Sequence, residues 1–211
     1  MPICSCPISS ALTAITVNAC KEDIGQIQKI LFQRKFSTGT TLNTFVIGTT
    51  NPNVLATWTT VTTATDGTKV VVSPYIQAPE TEAGAAVTYG GGNATLGGVA
   101  EIVGRESTKF TAELLWKHQS VVTSLKNLQC EDIAIYLIDE YGQIIGLADD
   151  NTSATNFYPI PVRAFFVGDK TFGGFENPDK NMISWEFAPN WSDQLYVITP
   201  ATGFDPLADI G

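Results

Sequence analysis

His118 is the chain's one histidine, so any Ser-His-Asp or Cys-His relay would have to be built on it. No nucleophile elbow flanks it. Ser120 stands so close on the same short segment that it makes a poor relay partner. His118 therefore reads as an exposed residue at a strand-to-helix junction. Adjacent carboxylates occur at Glu131-Asp132, Asp139-Glu140 and Asp149-Asp150. Paired carboxylates can hydrolyse glycosides when a fold sets them across a cleft, but neighbours at hairpin ends usually solvate a turn. Asp149-Asp150-Asn151 could face a hard cation, yet the regular ligand spacing of an EF-hand loop is missing. Cys4, Cys6, Cys20 and Cys130 lack Cys-x-x-Cys knuckle spacing, and they are sparse for a disulfide scaffold, so they read as buried or incidental thiols. The glycine run Tyr89 to Gly98 has no Gly-Lys-Ser/Thr ending to hold a phosphate and reads as a flexible loop. Trp58, Trp116, Trp185 and Trp191 could form a sugar platform, but Trp185 alternates with Ile183 and Phe187, and the core is the better place for them. No catalytic residue, cofactor or metal site is expected.

Composition points elsewhere. Charged residues make up 16% of the 211-residue chain, against about 25% in an average protein. Neutral polar groups cost less to desolvate than ions, and charge is depleted at the centres of protein interfaces. A surface of this kind suits being covered by a partner. The net charge is −9, and the 12 basic residues are scattered apart from Arg34-Lys35. Sequence-specific nucleic-acid binding, which needs a basic patch, is not expected. An acidic wall could still let a polyanion slide past without sticking. No stretch approaches the ~20 apolar residues of a membrane span, and no basic region precedes Ile8 to Cys20, so neither a membrane anchor nor a signal peptide is expected.

The elements that would position these residues are mostly strands. Residues 1–20, with Pro2 and Pro7, read as an extended N-terminal arm. Ile24 to Arg34 alternates in part, with Ile27, Lys29 and Leu31 on one face and Gln28, Ile30 and Phe32 on the other, which reads as a strand with a helix as the fallback. A Thr/Gly/Asn loop from Phe36 to Asn51 holds a short apolar run at Phe45 to Ile47. Asn51-Pro52 can open a short helix with Pro52 at its first position and Trp58 on its apolar side. Val70 to Val72 is a short strand, and 73–98, with Pro74, Pro79 and many glycines, reads as a long unstructured loop. Lys109 to Trp116 reads as a strand. Ser120 to Gln129 gathers Val121, Val122, Leu125 and Leu128 on one helical face. Ile133 to Ile138 and Gln143 to Leu147 form a hairpin across Asp139 to Gly142. Phe157 to Val167, Asn181 to Phe187 and Gln194 to Thr199 complete the strands. The expected fold is α+β, mainly β: a β-sandwich or β-barrel core with one packed helix, in a single domain over 1–211.

The segments Tyr158-Pro159-Ile160-Pro161-Val162, Phe165-Phe166-Val167-Gly168-Asp169-Lys170 and Ser184-Trp185-Glu186-Phe187-Ala188-Pro189-Asn190-Trp191, with the opening Cys-x-Cys-Pro, resemble virion structural proteins of tailed bacteriophages. The resemblance covers most of the chain. It is to tail-tube-like or neck and tail ring proteins, including those of phages of Bacteroidetes-type hosts, crAss-like ones among them. It implies a subunit without catalytic residues that forms a homo-oligomeric ring, a conduit for DNA, next to portal, neck or tail proteins. It also implies a place in the virion after assembly in the host cytoplasm. Loops 36–50 and 73–98 would then make the intersubunit contacts, with Phe36, Phe45, Tyr75, Ile76 and Tyr89 as the contact residues. A capsid decoration or head-fibre protein, or a carbohydrate-binding adhesive β-domain, is the alternative expectation.

Overall fold

The computed structural model describes residues 23–150 and 153–211. The expected N-terminal arm, Cys4, Cys6, Cys20 and Asn151 lie outside them. In chain order come β1 (Ile27–Arg34), β2 (Phe36–Thr38), β3 (Thr41–Leu42), β4 (Phe45–Val46), α1 (Leu55–Thr62), β5 (Val70–Val72) and β6 (Gln77–Glu82). They are followed by β7 (Ala86–Gly90), β8 (Ala100–Arg105), β9 (Thr108–Leu115), α2 (Gln119–Asn127), β10 (Ile133–Asp139) and β11 (Ile144–Ala148). The last elements are β12 (Asn156–Tyr158), β13 (Ile160–Val167), β14 (Lys180–Phe187), β15 (Leu195–Ile198) and α3 (Pro206–Asp209). The fold is mainly β, as expected.

Two antiparallel sheets share their strands at two corners. β13 pairs with β10 through Ile160 and Pro161, then with β14 from Val162 onward, and a bulge at Ala164 (φ 50°) lies between Arg163 and Phe166. At the other corner β5 pairs with β1, the chain bends through Ser73 to Ile76, and β6 continues onto β9. The bend is tied back to β1: Ser73 N–H donates to Ile30 O (2.8 Å), Ile30 N–H to Ser73 Oγ (2.8 Å), and Ile76 N–H to Gln28 O (2.9 Å). The result is a closed barrel running β1, β10, β13, β14, β9, β6/β5 and back to β1.

Its interior is apolar. Ile30 and Phe32 of β1 and Ile133 and Ile135 of β10 face Phe110, Leu114, Ile183, Trp185 and Phe187 from the opposite wall. Trp185 stacks on Phe110 with centroids 4.1 Å apart and meets Phe187 edge-on at 6.0 Å. α2 lays Val122 and Leu125 into the same core, as its 3.6-residue pattern requires. A second core lies behind the β1–β10 wall, where Leu31, Tyr136, Ile138 and Phe157 meet Trp58 of α1, Phe45, Phe204 and Ile210. β10 is therefore buried on both faces along its whole length.

Three details depart from the sequence reading. A bulge between Ile27 and Lys29 turns Ile27 into the barrel core with Ile30, away from Leu31. The helix expected to begin at Pro52 begins at Leu55; Pro52 instead offers its carbonyl to the buried Trp58 indole (2.7 Å). Thr hydroxyls within α1 bond back to carbonyls one turn earlier, which satisfies the polar groups of an intrinsically weak helix-forming sequence. Lastly, 73–98 is no unstructured loop: it contains the barrel corner, β6, β7 and the turn that leads into β8.

Candidate functional site

β7 and β8 pair only with each other. The ribbon leaves the barrel between β6 and β9 and returns with Ala86 opposite Arg105 and Tyr89 opposite Glu101. Its neck is narrow. A Cβ at Gly84 would come within 2.2 Å of Glu106 O, so only glycine lets the two strands leave side by side. Glu106 N–H closes the neck on Ala85 O (2.9 Å), and Arg105 ties it to the barrel through Asn190 Oδ1 (2.7 Å). The tip is built by Gly90, Gly91 and Gly92, all with positive φ. Thr95 Oγ1 accepts from Gly91 N–H and donates to Val99 O. Thus the glycine run is the turn of a hairpin.

This ribbon has no core. Tyr89 is 61% exposed, Val99 64% and Ile102 60%, with Val87 and Val103 also open to solvent. Val87 and Tyr89 stand on one face and Ile102 on the other, so apolar side chains are uncovered on both. An isolated two-stranded hairpin is only marginally stable in water. The ribbon therefore protrudes with its apolar side chains uncovered by the rest of the chain.

The opposite end of the same sheet carries further exposed aromatic residues. Trp116 follows β9 and is 75% exposed; Phe172 is 81% exposed and Phe175 fully so. Trp116 holds φ at 51°, a left-handed conformation that a bulky residue adopts only when its surroundings impose it. Here its N–H is pinned to Asp179 O (3.0 Å). Asp179 also accepts from Gly173 N–H (3.1 Å), and a Cβ at Gly173 would lie 1.9 Å from Asn177 O. The Phe172-Gly173-Gly174-Phe175 turn is thereby a defined loop presenting two phenyl rings.

Several residues that could have done chemistry have structural partners. His118 caps α2, its Nδ1 accepting from Ser120 N–H (3.2 Å) and lying 2.9 Å from Ser120 Oγ: the two do meet, as a helix cap. Asp139 is fully buried and accepts from Gly25, Tyr141 and Gln143 N–H, which organises the β10–β11 turn. Glu131 pairs with Arg34 (2.7 Å). Asp149 accepts from Thr155 and Asn156; the Thr155 hydroxyl first, then the Asn156 N–H and side-chain amide, hold its carboxyl far below the usual range. Among the described residues no three His, Cys, Asp or Glu side chains lie together as a metal cluster, and no helix is long and apolar enough to cross a membrane. A groove of about 450 Å³ beside α1 is lined by Thr44, Thr49, Thr57, Thr60 and Phe45, and no titratable side chain lines it.

Of the expected contact residues, Tyr89 projects from the ribbon and Phe36 is half-buried beneath Lys35. Tyr75 is 44% exposed, its hydroxyl on Leu207 O and its ring 4.8 Å from the Lys29 ammonium. Phe45 and Ile76 are buried at 5% and 3% exposure, so the protein's own cores occupy them. Cys130 is exposed, not buried. The tryptophans divide: Trp58 and Trp185 are core, Trp191 stacks on Phe187 at 4.2 Å, and Trp116 is outside. The sequence reading missed Trp116, Phe172 and Phe175 as a surface. Their one signal was a pair of phenylalanines straddling Gly-Gly, where no strand could bury them.

No protein-family model and no curated protein matches this chain. Among solved structures it is similar to a chain in the tail of an empty gene transfer agent particle, refined with C6 helical symmetry. The identity is 13%, over 60% of this chain and 82% of that one, with a TM-score of 0.33. A chain in the virion of a native gene transfer agent particle matches similarly, at 13% identity over 59% and 85% with the same TM-score. Likeness at that level identifies neither fold nor role.

Proposed function

We propose that this chain is a structural subunit of a phage-like virion, assembling with copies of itself into a ring or tube of the tail or neck that conducts DNA. The β7–β8 ribbon carries the reading: an ordered, glycine-built projection whose apolar side chains are open on both faces. Such a surface is expected to be covered in the working state. The low charge content supports the same view, since few ions need be desolvated at contacts. The excess of 21 acidic over 12 basic residues suits a wall past which DNA moves without adhering. The task is mechanical, and no side chain is given a catalytic part.

The test is to replace 86–105 by Asn-Gly, which the narrow neck at Gly84 and Glu106 permits without disturbing the barrel. Light scattering across a concentration series, with electron micrographs, should show rings or tubes for the full chain and a folded monomer for the shortened one. Assembly that survives the replacement, or a full chain that stays monomeric at every concentration, overturns the reading.

A further inference from the structure

The ribbon and the exposed Trp116, Phe172 and Phe175 lie at opposite ends of one sheet. β6 leaves that sheet at Glu82, opposite Lys109, and the ribbon starts there; β9 ends at Leu115, opposite Lys180, and the aromatic end starts there. Eight residues of strand separate them, about 26 Å at 3.3 Å per residue. Within one copy the ribbon projects from the end away from these aromatic residues.

We propose that copies associate head to tail along this sheet, the β7–β8 ribbon of one seating on the Trp116, Phe172 and Phe175 end of the next. The proposal rests on the self-assembly reading above and specifies its polarity. Both surfaces are apolar and both are held in shape by glycine-dependent turns. Their charges are also compatible. Residues 77–106 carry Glu80, Glu82, Glu101 and Glu106 against Arg105 alone, whereas the aromatic end carries Lys117, Lys126, Lys170 and Lys180 against Glu113, Asp169, Glu176 and Asp179, with Lys180 paired to Glu113 and Lys126 to Asp169. In a chain of net charge −9, that balanced end repels an acidic ribbon less than the average surface does. Three aromatic rings cover on the order of 150–250 Å² each when buried. On that one side this approaches the ~800 Å² per partner of a stable interface. A contact between two different patches is heterologous: it closes into a ring or propagates as a filament, depending on the rotation between copies. The left-handed backbone at Trp116 fits this role, because it turns a ring outward that a relaxed strand end would lay on the sheet.

A mixing experiment tests the polarity. One variant, Tyr89→Glu with Ile102→Lys, removes the ribbon's adhesion; the other, Phe172→Asp with Phe175→Asp, removes the receptor. All four side chains are exposed, so circular dichroism and melting should match the parent. Each variant alone should be monomeric, its self-association weakened at least about 30-fold, the scale of losing a central aromatic contact. Mixed in equal amounts, the two should form a heterodimer of twice the monomer mass and nothing larger, since one intact ribbon and one intact receptor remain. If the Phe172→Asp, Phe175→Asp variant assembles as the parent does, the ribbon pairs with itself or another surface, and the head-to-tail proposal fails while self-assembly stands. If the mixture stays monomeric although the parent assembles, the two patches are not partners, and the proposal fails likewise. A parent chain that never assembles overturns the underlying reading instead.

Discussion

In β10 every residue from Ile133 to Asp139 is buried, whereas in β7 every residue from Ala86 to Gly90 is exposed. Both are antiparallel strands, β10 paired on both edges and β7 with β8 alone, but ladder pairing does not decide which side chains are buried. Side-chain surroundings do. β10 sits between two cores, with Ile133, Ile135 and Leu137 on the barrel side and Tyr136 and Ile138 on the other. At ~1.5–3 kcal/mol for each large side chain taken from water, such a strand contributes strongly to stability. The ribbon contributes almost nothing to the stability of a lone copy, and its side chains remain available to a partner. The lesson is a division of labour within one kind of secondary structure: the barrel holds the shape, and the ribbon keeps in solvent side chains that the barrel does not cover.

The sharpest way to break this comparison is to truncate one residue of each kind. Trp185→Ala should destabilise the barrel by about 3–5 kcal/mol, because it empties the space between Phe110, Phe165 and Phe187. Tyr89→Ala should change the unfolding free energy of the monomer by no more than about 0.5 kcal/mol while weakening association. Urea unfolding at concentrations where the protein is monomeric reads both. A ribbon truncation that costs as much as the core truncation would show that the ribbon packs on the barrel. A finer probe is Tyr136→Phe. The hydroxyl lies 3.3 Å from Gln33 Oε1, burial pushes its pKa well up so that it stays a donor, and Gln33 Nε2 is fixed on Thr68 O (2.6 Å). Removing the hydroxyl leaves Gln33 Oε1 unpaired at a cost of about 1 kcal/mol, with packing against Phe157 and Trp58 unchanged. An unaltered urea midpoint would mean that this hydrogen bond adds nothing to the second core.

The same contrast explains which parts were legible in the sequence. Strand periodicity is an imprint of burial: a side facing a core must be apolar. β9, β14 and the β10–β11 hairpin were readable for that reason, and α2 for the analogous reason in a helix. The ribbon bears no such imprint, because neither face is covered by the chain itself, and its Gly-rich tip gave 73–98 the look of a loop. Ile76 and Phe45 were read as free for contacts because short segments between turn residues resemble loops. Only the barrel corner and the Trp58 packing place them inside. For Trp116 the error ran the other way. An aromatic ending an alternating strand reads as core, and the left-handed turn that throws it outward depends on Asp179, more than sixty residues away. Tertiary contacts of that range leave no local pattern.

The smallest effect tests whether exposure alone separates the two classes of residue. Asp149 lies at the surface, yet its carboxylate gathers hydrogen bonds from Thr155 and Asn156 and fixes the approach from β11 to β12. These bonds, the Thr155 hydroxyl foremost, lower its pKa in the folded state. The unfolded chain therefore takes up the proton more readily, with a value near ~3.9. The contribution is fully present above that value and is lost as the pH falls through the lower folded value. Asp149→Asn should thus lower the melting temperature by a small, constant amount between about pH 5 and 7, and the gap to the parent should close only below about pH 4. Hydrogen exchange at the Thr155 and Asn156 amides should report the same loosening. A gap that has already closed at pH 6 would mean that another group sets it. If the gap behaves as expected, an exposed side chain is ordering the barrel through partners in its own chain. The ribbon's exposed Tyr89, Val99 and Ile102 differ from Asp149 because they are apolar and the barrel gives them no partner, which is why a second copy is the place to look for one.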